Sequence, residues 1–152
     1  MSEYQPPAQP EQTKKLWFDG PNYTADAVVI NAVSRRILLI QRKDTQQWAL
    51  PGGFVDANEL AIDAARREAE EETGAHLVGD ARLIYKGIVD DPRNSDTAWI
   101  ETSAYLFKTL NFFNLKAGDD AADAGWKNLS ELPPLYASHQ KIVSLALHHL
   151  ND

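Results

Sequence analysis

Glu68, Glu71 and Glu72 fall within the stretch AARREAEEETG, residues 64 to 74. On a regular helix, residues three and four positions apart share a face, so these three carboxylates converge on a patch one turn high. Like charges at that spacing destabilise an isolated helix. Either water solvates the patch or a cation relieves it. Carboxylate oxygens are hard ligands suited to Mg²⁺ or Mn²⁺, ions that also bind phosphate oxygens. Arg67 precedes Glu71 by four residues and could hold it in place. Glu70 points elsewhere on the helix.

The elements around this patch can be placed from pattern. The run NELAIDAARREAEEETG, residues 58 to 74, predicts a helix with Asn58 as N-cap, Glu59 in the first turn and Gly74 as the terminating C′ residue. Leu60, Ala61, Ile62, Ala64, Ala65 and Ala69 give it an apolar side of small residues that can lie close to a sheet. Ahead of it, WALPGGFVD (48 to 56) predicts a strand passing into a glycine-rich loop, with Pro51, Gly52 and Gly53 interrupting regular pairing. AVVINAV and RILLIQRK predict a hairpin across a short polar turn. ARLIYKGIVDD and AWIETSAYLFKTL predict strands flanking the loop DPRNSDT. AGWKNLSELPPL predicts a short strand and a turn, and SHQKIVSLALHHL an amphipathic helix capped by Ser138. Strands on both sides of one central helix, with a second helix after them, predict an α/β protein: mixed α and β layers around one core. Residues 1 to 19 are expected to form a flexible N-terminal arm, with Trp17 and Phe18 docking on the domain or on a partner subunit, and residues 20 to 152 a single domain.

Composition limits the chemistry. The chain has 152 residues, a formal net charge of −7 and no cysteine. Disulfides, thiolate catalysis and cysteine-ligated zinc are excluded. Without a basic cluster, nucleic-acid and anionic-membrane partners are not expected. No stretch approaches the ~20 apolar residues of a membrane span, and no apolar signal core stands near residue 1, so a cytoplasmic location is the expectation.

Seven positions set the patch in a longer pattern. Gly53, Glu59, Arg67, Glu68, Glu71, Glu72 and Gly74 are spaced G-x5-E-x7-R-E-x2-E-E-x-G. The stretch GFVDANELAIDAARREAEEETGA resembles the signature of the Nudix hydrolases, with every fixed Gly, Glu and Arg present. Ala69 and Ala75 stand where that family usually carries bulkier aliphatic residues. The resemblance implies a Nudix α/β/α sandwich built on a mixed sheet, and hydrolysis of a nucleoside diphosphate linked to another group. It implies Glu68, Glu71, Glu72 and the Gly52 carbonyl as ligands of Mg²⁺ or Mn²⁺, with Arg67 and Glu59 orienting the glutamates.

Four further segments, GPNYTADAVV, RKDTQQWALPGGFVD, DDPRNSDTAWIET and AGDDAADAGW, resemble the ADP-ribose pyrophosphatase group of this family, over about Gly20 to Leu135. The implied substrate is ADP-ribose, and the implied products are AMP and ribose 5-phosphate. In that setting Arg42 and Arg93 are candidates for phosphate contacts, Asp91, Asn94 and Asp96 for ribose hydroxyls, and Trp48 or Trp99 for stacking on adenine. Arg93 has the alternative of bridging to Asp90 or Asp91, and Trp99 of lying in the core. The catalytic base is open between a glutamate of the signature and an acid of GDDAAD, where Asp119, Asp120 and Asp123 are candidates. His139 is expected to cap or brace the last helix, and His148 and His149 to face solvent. Other nucleoside diphosphate derivatives, nucleoside triphosphates and a non-catalytic ADP-ribose sensor are the alternatives. Many relatives are homodimers, which makes a homodimer a possible assembly here.

Overall fold

The structure, a computed structural model, describes residues 16–118 and 121–150. Its centre is β1 (Gly20–Asn31), which lies parallel to β6 (Ala98–Thr109) over twelve paired positions. A tight turn with Arg35 in the left-handed region joins β1 to the antiparallel β2 (Arg36–Arg42). β3 (Trp48–Ala49) and β7 (Ala121–Asn128) pair with β2, β4 (Gly52–Phe54) with β1, and β5 (Arg82–Ile88) with β6. All seven described strands form one mixed sheet.

Alternation along the strands builds two cores. Ala25, Ala27, Val29 and Leu38 pack against α1 (Ala61–Thr73) on one face. Val28, Ile30, Ile37 and Leu39 pack against α2 (His139–His149) on the other. Covering both faces explains why Ala27 to Ile30 of β1 form an unbroken apolar run. The result is the expected α/β/α sandwich. Ala64, Ala65, Ala69 and Ala75 are fully buried, so the small residues at 69 and 75 let α1 sit close to the sheet.

Four local expectations need correction. Asn58 does not cap the helix: it takes a left-handed conformation (φ 67°) in a turn, and α1 starts at Ala61 after an uncapped Leu60. Glu59 is therefore ahead of the first helical turn. Leu60, expected on the apolar side, is 67% exposed. Gly52 and Gly53 do not interrupt pairing but pair with Asp26 and Ala25 of β1. A side chain at Gly52 would overlap the Asp26 carboxylate and stand 2.5 Å from the Ala25 carbonyl, so glycine permits the close approach. Gly74 terminates α1 as expected, at φ 82° with its N–H donating to the Glu70 carbonyl. Ser138 takes the N-cap position of α2 without a side-chain capping bond. Residues 1–15 of the expected arm lie outside the described residues. Leu16 is buried beside Val89, Ala98 and Ile100, while Trp17 and Phe18 are largely exposed. Among the described residues no helix is long and apolar enough to cross a membrane.

Candidate active site

Gly52 and Gly53 border a cavity of about 410 Å³. Its walls come from the middle of β1, the end of β2, β4, α1, the loop after β5, the first half of β6, and the start of α2. Two chemically different groups line it.

The acidic group is organised by Arg67. Nε and Nη2 of Arg67 form a fork with the Glu59 carboxylate at 2.9 and 3.1 Å. Nη1 donates to Glu68 at 3.0 Å and to Glu71 at 3.1 Å, and Nη2 also donates to the Phe54 carbonyl at 3.1 Å. These contacts use all the donors a guanidinium has. The turn at Asn58 is explained by the same fork: Glu59 must leave the helix to reach Arg67, and its other bond accepts the Asp56 N–H. Hydrogen bonds from Arg67 hold the Glu59 carboxyl below its ordinary range. Burial pushes the Glu68 carboxyl up, against the opposing pull of Arg67. Glu72 accepts the Gly52 N–H at 2.9 Å, which joins α1 to β4. Glu68 and Glu72 face the cavity.

This donor set fits a hard divalent cation. It consists of oxygens, and Glu68 is a carboxylate whose burial penalises its charge. Among the described residues no three acidic or histidine side chains are gathered at metal-ligand spacing, and Arg67 Nη1 occupies the place between Glu68 and Glu71. Glu71 is 55% exposed and has room to turn.

The basic group consists of Lys43 and two arginines, Arg42 and Arg93, each arginine forked to its own carboxylate. Arg42 binds Asp44 at 3.0 and 2.8 Å, and Arg93 binds Asp91 at 2.9 and 3.1 Å. Arg42 also lies 4.0 Å from the centre of the Tyr136 ring, and Arg93 is 5.6 Å from that of Phe54. Burial alone would raise the Asp91 carboxyl, but the bonds from Arg93 outweigh it and hold it low. Asn94 spends its side chain on the loop, donating to the Val89 carbonyl and accepting the Ile100 N–H.

Beneath the glycines lies a buried polar chain. Thr102 donates to Asp26 at 2.7 Å, and His139 Nε2 is 3.8 Å from the other Asp26 oxygen. His139 Nδ1 accepts the Leu50 N–H at 3.0 Å, which places the proton of the neutral ring on Nε2. Burial raises the Asp26 carboxyl and lowers His139. His139 thus braces the strand that leads to Gly52.

Of the residues singled out from sequence, Glu68, Glu72, Gly52, Arg42, Asp91 and Arg93 line the cavity, and Arg67, Glu59 and Glu71 stand behind its acidic wall. Trp48 and Trp99 are not on it. Trp48 packs on the core under Lys127, and Trp99 donates to Glu101. Asp119 and Asp120 lie outside the described residues, and Asp123 is exposed on β7. Sequence reasoning missed Asp26, Thr102, Tyr136 and Phe54. Asp26 alone left a signal, as an acid inside the apolar run of β1.

An α/β/α sandwich whose helix presents glutamates beside a glycine strand defines a class of fold and site. Residues 20–146 match the NUDIX domain, and the chain belongs to that family. It is 38% identical over 142 residues to putative nudix hydrolase 6 of Caenorhabditis elegans, covering 83% of this chain and 55% of that one. It is 34% identical over 165 residues to the mitochondrial ADP-ribose pyrophosphatase of Rattus norvegicus, covering 83% and 47%. Among solved structures it resembles a bifunctional NMN adenylyltransferase/ADP ribose pyrophosphatase from Francisella tularensis complexed with AMP and a manganese ion. The TM-score is 0.70 at 28% identity, over 87% of this chain and 42% of that one. The chain thus spans about half the length of these relatives, or less.

Proposed function

We propose that this chain is a divalent-metal-dependent Nudix hydrolase that cleaves the pyrophosphate of ADP-ribose to AMP and ribose 5-phosphate, with residues 20 to 152 as its single domain. The observation that carries this reading is the division of one cavity between two glutamates on α1, Glu68 of them part-buried, and two arginines backed by aromatic rings. A dianionic pyrophosphate between a nucleoside and a sugar needs both groups. The similarity to two proteins named for ADP-ribose hydrolysis supports the substrate class.

In this proposal Glu68, Glu71, Glu72 and the Gly52 carbonyl hold Mg²⁺ or Mn²⁺. The ion, when bound, supplies charge neutralisation on the phosphate oxygens and acidifies a water. The chain's own residues do the positioning. Arg67 and Glu59 set the direction of Glu68 and Glu71. Gly52 donates its N–H to Glu72 and so fixes that carboxylate against β4. Arg42 and Arg93, part-neutralised by Asp44 and Asp91, attract phosphate without making the empty cavity strongly cationic. Phe54 and Tyr136 offer the ring surfaces for adenine that Trp48 and Trp99 do not.

The test is a product analysis. The protein with Mg²⁺ is given ADP-ribose, NADH, sugar nucleotides and nucleoside triphosphates. Turnover fastest on ADP-ribose, yielding AMP and ribose 5-phosphate, supports the reading. Faster release of pyrophosphate from a triphosphate overturns the substrate, and tight ADP-ribose binding without turnover overturns the activity.

A further inference from the structure

Gly118 connects the two walls of the cavity through its backbone. Its N–H donates to the Glu72 carbonyl at 3.0 Å, and its own carbonyl accepts the Ala121 N–H at 2.9 Å. Ala121 is the first residue of β7 and pairs with Arg42 at the end of β2. A single residue therefore links the helix that carries Glu68 and Glu72 to the strand end that carries Arg42. Lys116, two residues earlier, donates its N–H to the Thr73 carbonyl at 2.8 Å.

These two bonds meet a need of α1. Its last turn has no basic residue and carries three consecutive glutamates, Glu70, Glu71 and Glu72, at the negative end of the helix dipole. Charge of that sign at that end destabilises a helix, and the terminal carbonyls there need donors from elsewhere. The segment at 116–118 supplies them. It leaves no room for a side chain at 118. A Cβ would overlap the Glu71 carbonyl oxygen and lie 2.9 Å from the carbonyl carbon, and both are backbone atoms of the helix. Gly118 is not in the left-handed region, so the requirement for glycine here is one of space.

We propose that Gly118 is a positioning residue that fixes the separation between the α1 glutamates and Arg42, and so the fit of divalent ion and pyrophosphate in one site. This inference rests on the functional reading above. The Gly118→Ala substitution would lift the 116–118 segment from α1 and let the Glu72 backbone drift from the Arg42 strand. Displacing a residue that orients metal ligands lowers affinity or activity about tenfold or more.

The experiment titrates Mn²⁺ into the protein, free of substrate, by electron paramagnetic resonance, and measures ADP-ribose turnover in parallel. Gly118→Ala is expected to weaken Mn²⁺ binding about tenfold and to lower kcat more than it raises KM. Gly125→Ala, on β7 with no atom nearer than 4.0 Å to the added carbon, is expected to match the wild type. Lys116→Pro, which deletes the neighbouring N–H without touching Gly118, is expected to weaken Mn²⁺ in the same direction and decides the matter if Gly118→Ala does not fold. Wild-type affinity and kcat in both 116 and 118 variants, or a lowered Tm with unchanged Mn²⁺ affinity, would overturn the inference and leave the functional reading standing. Failure of the wild type itself to bind Mn²⁺ would overturn both.

Discussion

Adjacent glycines, Gly52 and Gly53, should respond to alanine in opposite ways. At Gly53 the added Cβ would stand 2.5 Å from Oε2, 2.6 Å from Cδ and 2.9 Å from Oε1 of Glu68. Relaxed contacts are near ~3.5 Å, so the carboxylate must withdraw by about 1 Å. Those atoms are the end of a flexible side chain, and Gly53 is not in the left-handed region. Stability should change little, because Gly→Ala also restricts the unfolded chain by about 0.4–1 kcal/mol. A net change within ~1 kcal/mol moves Tm by no more than about 4 °C in a domain of this size. A 1 Å displacement of a positioned group can cost ~10²-fold in rate. At Gly52 the added carbon meets the Asp26 carboxylate and, at 2.5 Å, the backbone oxygen of Ala25. β4 must then move off β1, at the ~1–3 kcal/mol typical of overpacking. Thermal unfolding by circular dichroism and steady-state turnover of ADP-ribose give both readouts. Gly53→Ala should keep its Tm and lose kcat, and Gly52→Ala should lose several degrees. Full kcat in Gly53→Ala, or equal Tm loss in both, would refute the reasoning.

Three further outcomes follow from the same geometry. Arg67→Ala removes charged hydrogen bonds to Glu59, Glu68 and Glu71 and leaves those carboxylates facing one another; a loss of about 2–3 kcal/mol is expected in urea unfolding, with turnover falling at least tenfold. Phe54→Ala should raise KM for ADP-ribose in steady-state assays, whereas Trp99→Ala should leave KM unchanged, since Trp99 is off the cavity. Asp91, held low by Arg93, is ionised in the folded state at pH values where the unfolded chain takes up a proton. Its contribution to stability is full above the unfolded value near ~3.9 and is lost as pH falls through the folded value, so Asp91→Asn should flatten that part of an acid-unfolding profile.

The glutamate-bearing helix was legible in the sequence because its apolar alanines, its glutamates at i, i+3 and i+4, and its closing Gly74 all agree on one element. The mixed α/β class was legible from strands on both sides of that helix, and the sandwich from the resemblance of the helix and its glycines to the Nudix signature. Its N-terminal end was misplaced because Asn58 and Glu59 obey a tertiary demand: Glu59 turns back to Arg67, and local capping preference loses to a forked ion pair. Gly52 and Gly53 looked like strand breakers, but their lack of a side chain serves close strand approach and clearance for Glu68. Trp48 and Trp99 were plausible base-stacking residues by type alone, and only the sheet register shows that neither meets the cavity. Tyr136 and His139 reach the site from across the chain, by a route that no local pattern encodes. The Arg93–Asp91 pair was foreseen as an alternative to phosphate binding, and in the structure the two residues form that pair on the cavity wall.

The most direct test of the central claim is the rate of AMP release from ADP-ribose in Mg²⁺ by the wild type and by Glu72→Gln. The glutamine can still accept the Gly52 N–H, so the variant removes the charge and keeps the tie between α1 and β4. The account predicts AMP and ribose 5-phosphate from the wild type and a loss of about 10²-fold or more in Glu72→Gln with an unchanged Tm. Equal rates in the two proteins, or no AMP from the wild type, would contradict it.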